Sequence, residues 1–182
     1  MTTLMFPDTT VLINFAHINR MDLLARLANG NGRWCASVAS ECARSARQSD
    51  LTALDDAGDI FGDPLRPDPA EYQDTIALRD QLAAPGDAPS KHFGEAETVA
   101  IITRRHLNLN CFFVTDDRDA ARLASRNGIR VADTWLLLRI AHRRLGLDAD
   151  VLWGYVQTLQ RQGRRPPNEA RDRSSFDKWL SA

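Results

Sequence analysis

The chain has 182 residues, 43% hydrophobic and 26% charged, a composition that suits one globular body with a sizeable core rather than two independent ones. Its formal net charge of -1 removes any global attraction to nucleic acid, so RNA would have to be held by a local patch. Cys35, Cys42 and Cys111 form no C-x-x-C pair, no basic leader opens the chain and no window holds about 20 apolar residues, so a reduced, cytoplasmic protein with no membrane partner is expected.

Leu4-Met5-Phe6 predicts a strand that stops at Pro7-Asp8. Val11, Leu12, Phe15, Leu23, Leu24 and Leu27 then recur at helical spacing, which predicts a helix over 11–27 with Asp8 at the joint. Asn29-Gly30-Asn31-Gly32 is a turn, and 34–38 reads as a second strand, or a strand-like entry, before the helix that carries Glu41 and Cys42. Gly58, Gly62, Pro64, Pro67 and Pro69 interrupt the next stretch, where a short strand is expected at Ile60-Phe61. Helices follow over 71–82 and 94–106, separated by the Pro- and Gly-rich loop 84–90.

Cys111-Phe112-Phe113-Val114-Thr115 is the strongest strand pattern and runs straight into Asp116-Asp117-Arg118-Asp119. A helix over 120–126, closed at Asn127-Gly128, leads to another strand over 129–132. Amphipathic helices over 136–145 and 151–162 meet at Gly146, and Gly163-Arg164-Arg165-Pro166-Pro167 ends the pattern. The expected organisation is a body over 1–163 and a polar extension over 164–182. Five arginines between 161 and 173, against Glu169 and Asp172, favour a solvated extension, whereas Phe176, Trp179 and Leu180 predict that its end docks on the body or on a partner.

Alternating strands and helices predict an α/β fold, a three-layer α/β/α sandwich around a mostly parallel sheet, with sites at the carboxyl ends of the strands. Asp8 and Asp116-Asp117 lie at two such ends, and Glu41 and Glu95 lie near helix starts. Taken singly, each has a structural role available: strand-end aspartates cap helices, and early glutamates complement a helix dipole. Together they have another, because four carboxylates sharing one groove need a cation to remain ionised. An all-oxygen set suits Mg²⁺ or Mn²⁺, which can activate water and neutralise charge on a phosphodiester.

The order of these segments resembles the PIN-domain ribonuclease family. Pro7-Asp8-Thr9-Thr10-Val11-Leu12-Ile13 resembles its first motif, Val38-Ala39-Ser40-Glu41 its second, and Gly94-Glu95-Ala96-Glu97 with Val99-Ala100-Ile101 a third found in one branch. Val114-Thr115-Asp116-Asp117-Arg118-Asp119 resembles the T-x-D motif, followed by Gly128-Ile129-Arg130-Val131, so the likeness spans about residues 4 to 160. It implies a PIN-like fold, a homodimer, and an endoribonuclease of the kind that serves as the VapC-like toxin of a toxin–antitoxin pair, held in check by a small antitoxin. Carried over by position, the catalytic and metal-binding residues are Asp8, Glu41, Glu95 and Asp117, with Asp116 and Asp119 as further candidate ligands.

Glu95 and Glu97 point about 200° apart on a helix, and Glu95 shares a stripe with Val99 and Ile102. Glu97 aligns with Ile101 and Arg104, which predicts a surface or half-buried ion pair. Thr10 and Thr115 are candidates to orient a carboxylate, and Arg44, Arg47, Arg118 and Arg122 to contact RNA phosphates. Two enzyme classes fit poorly: Thr10 stands where a haloacid-dehalogenase phosphatase needs a second carboxylate, and no G-x-G-x-x-G follows the first strand. The alternative is a PIN-like binding or assembly module without nuclease activity. His17, His92, His106 and His142 show no ligand spacing.

Overall fold

The computed structural model describes residues 3–107 and 109–182; the side chain of Glu169 lies outside the described residues. Strands β1 (Thr3–Pro7), β2 (Asn110–Val114) and β3 (Arg130–Ala132) form a parallel sheet in that order, with Pro7 paired to Val114 and Val114 to Ala132. All three strands therefore leave the sheet at the same end, each into an aspartate-bearing segment. Single parallel bridges, Met5 to Gly32 and Cys35 to Leu65, extend the pattern beyond β1.

Helix α1 (Thr9–His17) and helix α2 (Met21–Ala28) replace the single helix predicted over 11–27. Asn19, at φ 52, breaks the helix, and both halves still bury their apolar faces in the same core, which is why the spacing looked continuous. The segment at 34–38 is only an extended entry: Cys35 makes its bridge and α3 (Ala36–Ser45) begins at once. The strand expected at Ile60-Phe61 is instead a short helix, α4 (Ala57–Phe61). Ala57 and Phe61 are four residues apart and both buried, a spacing that one face of a helix and one face of a strand both satisfy, so the pattern by itself does not separate the two.

The capping box of Asp68 and Glu71, with Pro69 at the first position, starts α5 (Pro69–Leu82). Next, α6 (Phe93–Ile101) runs on into a π-helical turn at Ile102–His106. Beyond β2 the chain forms α7 (Arg118–Arg126), α8 (Thr134–Leu145), α9 (Ala149–Arg161) and α10 (Arg173–Ser181). Alternation along the strands divides the core: Met5, Val114 and Ala132 face a large cluster with Leu12, Phe15, Leu138 and Leu152, while Phe6, Cys111 and Phe113 face a smaller one with Val99, Ile102 and Leu123. Phe176 and Leu180 of α10 lie in the larger cluster, so the chain's end docks on the body. No helix among the described residues is long and apolar enough to cross a membrane.

Candidate metal centre at the carboxyl edge of the sheet

Asp8 is the first residue beyond β1. Its backbone N–H extends the ladder to the Val114 carbonyl at 2.9 Å, and its side chain caps α1 by accepting from the Val11 N–H at 2.8 Å. The other carboxylate oxygen accepts from the Thr115 hydroxyl. The side chain is thus held from two strand ends and is almost fully buried. Burial is the main reason its pKa is pushed up to about 7; the bonds from Thr115 and Val11 oppose the rise, and the charges of Asp116 and Glu95 add to it.

Asp116 sits beside it in a network that the sequence reading did not include. It accepts from Asn14 Nδ2 at 2.6 Å and from the Thr134 N–H and hydroxyl at 2.9 and 2.7 Å. Asn14 is fully buried, and its Oδ1 meets no donor among the described residues. Asp133, the N-cap of α8, is a third strand-end aspartate; burial raises its pKa and the Asp116 charge contributes. The sequence held a signal for both residues. Asn14 interrupts the apolar stripe of α1, and Asp133-Thr134 repeats after β3 the Asp8-Thr9 pair that follows β1.

Glu41 reaches the same edge from α3. It accepts from the hydroxyl of Thr9, not of Thr10, at 2.6 Å, and its pKa is raised chiefly by burial, with Glu95 and Glu97 also contributing. The approach of α6 depends on Gly94: a Cβ there would lie 3.3 Å from Val38 Cγ2 and 3.6 Å from Glu41 Oε1. Glu95 is half-buried, 3.7 Å from His92 Nδ1, and its charge reaches both Asp8 and Glu41. Glu97 does not form the ion pair expected of it; it is buried and accepts from the Ser37 N–H at 2.8 Å, at the start of α3. The positive end of that helix supplies what an arginine was expected to supply, and Arg104 pairs with Asp74 instead.

The remaining candidates lie further toward solvent. Asp117 caps α7, accepting from the Asp119 and Ala120 N–H groups at 2.8 Å, and Asp119 pairs with Arg122 at 2.8 Å. Arg44 and Arg47 are exposed on and just after α3. A groove of about 1040 Å³ opens over this region, and its lining includes Thr10, Thr115, Asp116, Asp117, Asp119 and Arg118. Asp8, Glu41 and Glu95 do not line it; Asp8 lies beneath Thr115, and the two glutamates approach from α3 and α6. Among the described residues, no three His, Cys, Asp or Glu side chains are already grouped closely enough to hold an ion together. Nor does any lysine or arginine form a salt bridge with Asp8, Glu41, Asp116 or Asp117 among those residues.

Such a donor set is hard and anionic and contains no thiolate; Arg44 acts on Glu41 and His92 stands beside Glu95, but Asp8, Asp116 and Asp117 have no salt-bridged cation among the described residues, and a small divalent cation suits that chemistry. No family model, curated protein or solved structure gives a match to the chain.

Proposed function

We propose that the chain is a metal-dependent endoribonuclease with a PIN-like three-layer fold, acting as the toxin of a VapC-like toxin–antitoxin pair. One observation carries the reading: Asp8 is almost fully buried at the carboxyl end of the sheet with no basic side chain paired to it among the described residues, and burial, with the charges of Asp116 and Glu95 adding to it, raises its pKa, which suits a residue that binds a cation as well as capping a helix. Asp8 and Asp117 would be the principal ligands of Mg²⁺ or Mn²⁺, with Glu41 and Glu95 completing the set and Asp116 holding the Asn14 and Thr134 network beside them. Bound there, the cation would supply charge neutralisation at the phosphodiester and a water of lowered pKa.

The chain's own groups do the rest. Thr115 donates to the Asp8 carboxylate and accepts from the Asp117 N–H at 3.1 Å, so one hydroxyl ties the first of these carboxylates to the backbone that carries the second. Thr9 orients Glu41 in the same way. Asn14 Oδ1, which meets no donor among the described residues, would take a hydrogen bond from a buried water. Arg118, at the rim of the groove, would hold a phosphate of the substrate. A homodimer and a small antitoxin protein belong to the same reading.

Cleavage of single-stranded RNA with Mg²⁺ or Mn²⁺ tests it. Asp8→Asn and Asp117→Asn are each expected to lose at least about a hundredfold in rate, and undiminished activity in both would sink the assignment. The rival reading is a PIN-like module that binds or assembles without cutting. Calorimetric titration with Mn²⁺ separates the two, since only the nuclease requires an ion that Asp8→Asn abolishes. Growth arrest on expression, relieved by co-expression of a neighbouring small protein, is the outcome expected of a toxin.

A further inference from the structure

The groove over the acidic edge has a second wall, and it comes from the segment that follows α9. Gly163, at φ +77, closes α9 with its N–H bonded to the Gln160 carbonyl at 2.9 Å and the Arg164 N–H bonded to the Leu159 carbonyl at 2.9 Å. This paired pattern is a Schellman closure, and it fixes the direction in which the next residues leave the helix. Pro166-Pro167 stiffen the segment, and a 3₁₀ turn at Asn168–Ala170 buries Ala170 completely in the larger core. The loop is therefore anchored at both ends.

Arg164, Arg165 and Arg171 from this loop line the same groove as Asp116, Asp117 and Arg118. Arg165 and Arg171 are exposed, and among the described residues none of the four arginines forms a salt bridge. Other arginines, the exposed Arg44 and Arg47 among them, likewise form no salt bridge among the described residues, while Arg20, Arg104, Arg122 and Arg173 pair with Asp22, Asp74, Asp119 and Asp150; what sets the loop apart is that three of its arginines share one groove lining. A chain of net charge -1 thus gathers several guanidinium groups, none in a salt bridge among the described residues, in the lining of one groove. At about 1040 Å³ the groove is at the upper end of the small-ligand range and open to solvent, so an extended chain can lie in it.

We propose that the loop 163–171 is the phosphate-binding wall of the site, along which single-stranded RNA lies with its backbone against Arg165 and Arg171 and one phosphate over Asp116 and Asp117. The inference rests on the nuclease reading for its choice of RNA, but the wall is tested by binding and not by cleavage. Walls of opposite sign divide the labour: the acidic floor repels a bare phosphate until a cation neutralises it, while the arginines retain the flanking phosphates throughout. The body and its extension then form one substrate channel.

Arg165→Gln/Arg171→Gln tests the wall, because both side chains are exposed and neither holds the core; thermal unfolding should be unchanged. Binding of a short fluorescein-labelled single-stranded RNA is followed by anisotropy in EDTA over a range of KCl. The double variant is expected to bind about tenfold or more weakly, and the slope of log K against log salt should shrink by about 1.4, the value for two single-strand phosphate contacts. Arg165→Lys/Arg171→Lys should keep the slope. Equal affinity and slope in parent and Gln variant would overturn the proposal, as would a parent that binds no RNA at any salt. Unchanged binding with faster cleavage would make the loop a self-inhibiting strap and would also overturn it. A parent whose binding depends on the two arginines but which cuts nothing with Mg²⁺ or Mn²⁺ leaves the wall standing and removes the nuclease reading.

Discussion

Asp8 shows how one residue can serve two masters, as helix cap and as candidate ligand, and its titration separates them. Its pKa is raised from 3.8 to about 7, so the folded state holds the proton more tightly than the unfolded chain does. The stability contributed by the protonated form is therefore complete below pH about 4 and is lost as the pH rises through about 7, a swing on the order of 4 kcal/mol. Asp8→Asn is expected to melt higher than the parent at pH 8 and at nearly the same temperature at pH 4. Mg²⁺ or Mn²⁺ at pH 8 should raise the melting temperature of the parent and leave that of the variant unmoved. Parallel pH profiles for the two proteins would show that burial of Asp8 carries no such cost. The neighbouring glutamates offer a complementary test. Glu97→Ala should lose roughly 1–3 kcal/mol, because the Ser37 N–H is left without an acceptor. Glu95→Gln should lose RNA cleavage with little change in melting temperature, since its side chain is only half-buried; chemical denaturation beside a cleavage assay measures both.

At the level of elements, the helices around the edge were legible because their signals are local, whereas the partners of each carboxylate were not. Asp68-Pro69 with Glu71 announces the start of α5, and Gly128 and Gly146 mark the ends of α7 and α8 at φ +76 and +67. The break between α1 and α2 was hidden because an apolar rhythm survives a turn that keeps both faces on one core. The Phe61 segment misled because Gly and Pro around it signal interruption without saying what lies between them. Glu97 was misread because its partner is a backbone N–H sixty positions earlier, which no spacing within α6 encodes. Asn14 escaped for the same reason: Asp116 is 102 residues away, and only the parallel pairing of β1 with β2 brings them together. The end of α9 was read correctly as a break, and its geometry makes a prediction. Gly163→Ala should cost roughly 1–2 kcal/mol, because an L side chain at φ +77 is strained. If the loop it launches binds phosphates, the same change should weaken RNA binding beyond its effect on stability, measured where the variant remains fully folded.

On the scale of the whole molecule, the extension after Gly163 closes the larger core and one side of the groove. Phe176 is fully buried between Trp153, with ring centroids 5.2 Å apart, and Trp179 at 5.9 Å, and Leu180 lies in the same cluster. Arg139 and Arg143 of α8 bond the carbonyls of Trp179 and Leu180 at 3.5 Å, holding the last turn of α10 against the body. Five arginines against two acidic residues suggested a solvated stretch, while Phe176, Trp179 and Leu180 predicted that the end docks; the structure has the docked end, because burying one aromatic ring contributes more than leaving several guanidinium groups in water requires. Phe176→Ala is therefore expected to lose about 3–5 kcal/mol, the range for an aromatic cavity in a packed core. A chain ending at residue 163 should unfold at markedly lower denaturant than the full chain, with a smaller m-value, since the cluster around Leu152 and Val156 would face water. Equal midpoints for the two would show that 164–182 is an independent appendage. The distinction matters for chemistry as well as stability: if α10 anchors the loop that carries Arg165 and Arg171, Phe176→Ala should lower RNA affinity through the loop's position even in the folded fraction, whereas an appendage would transmit nothing.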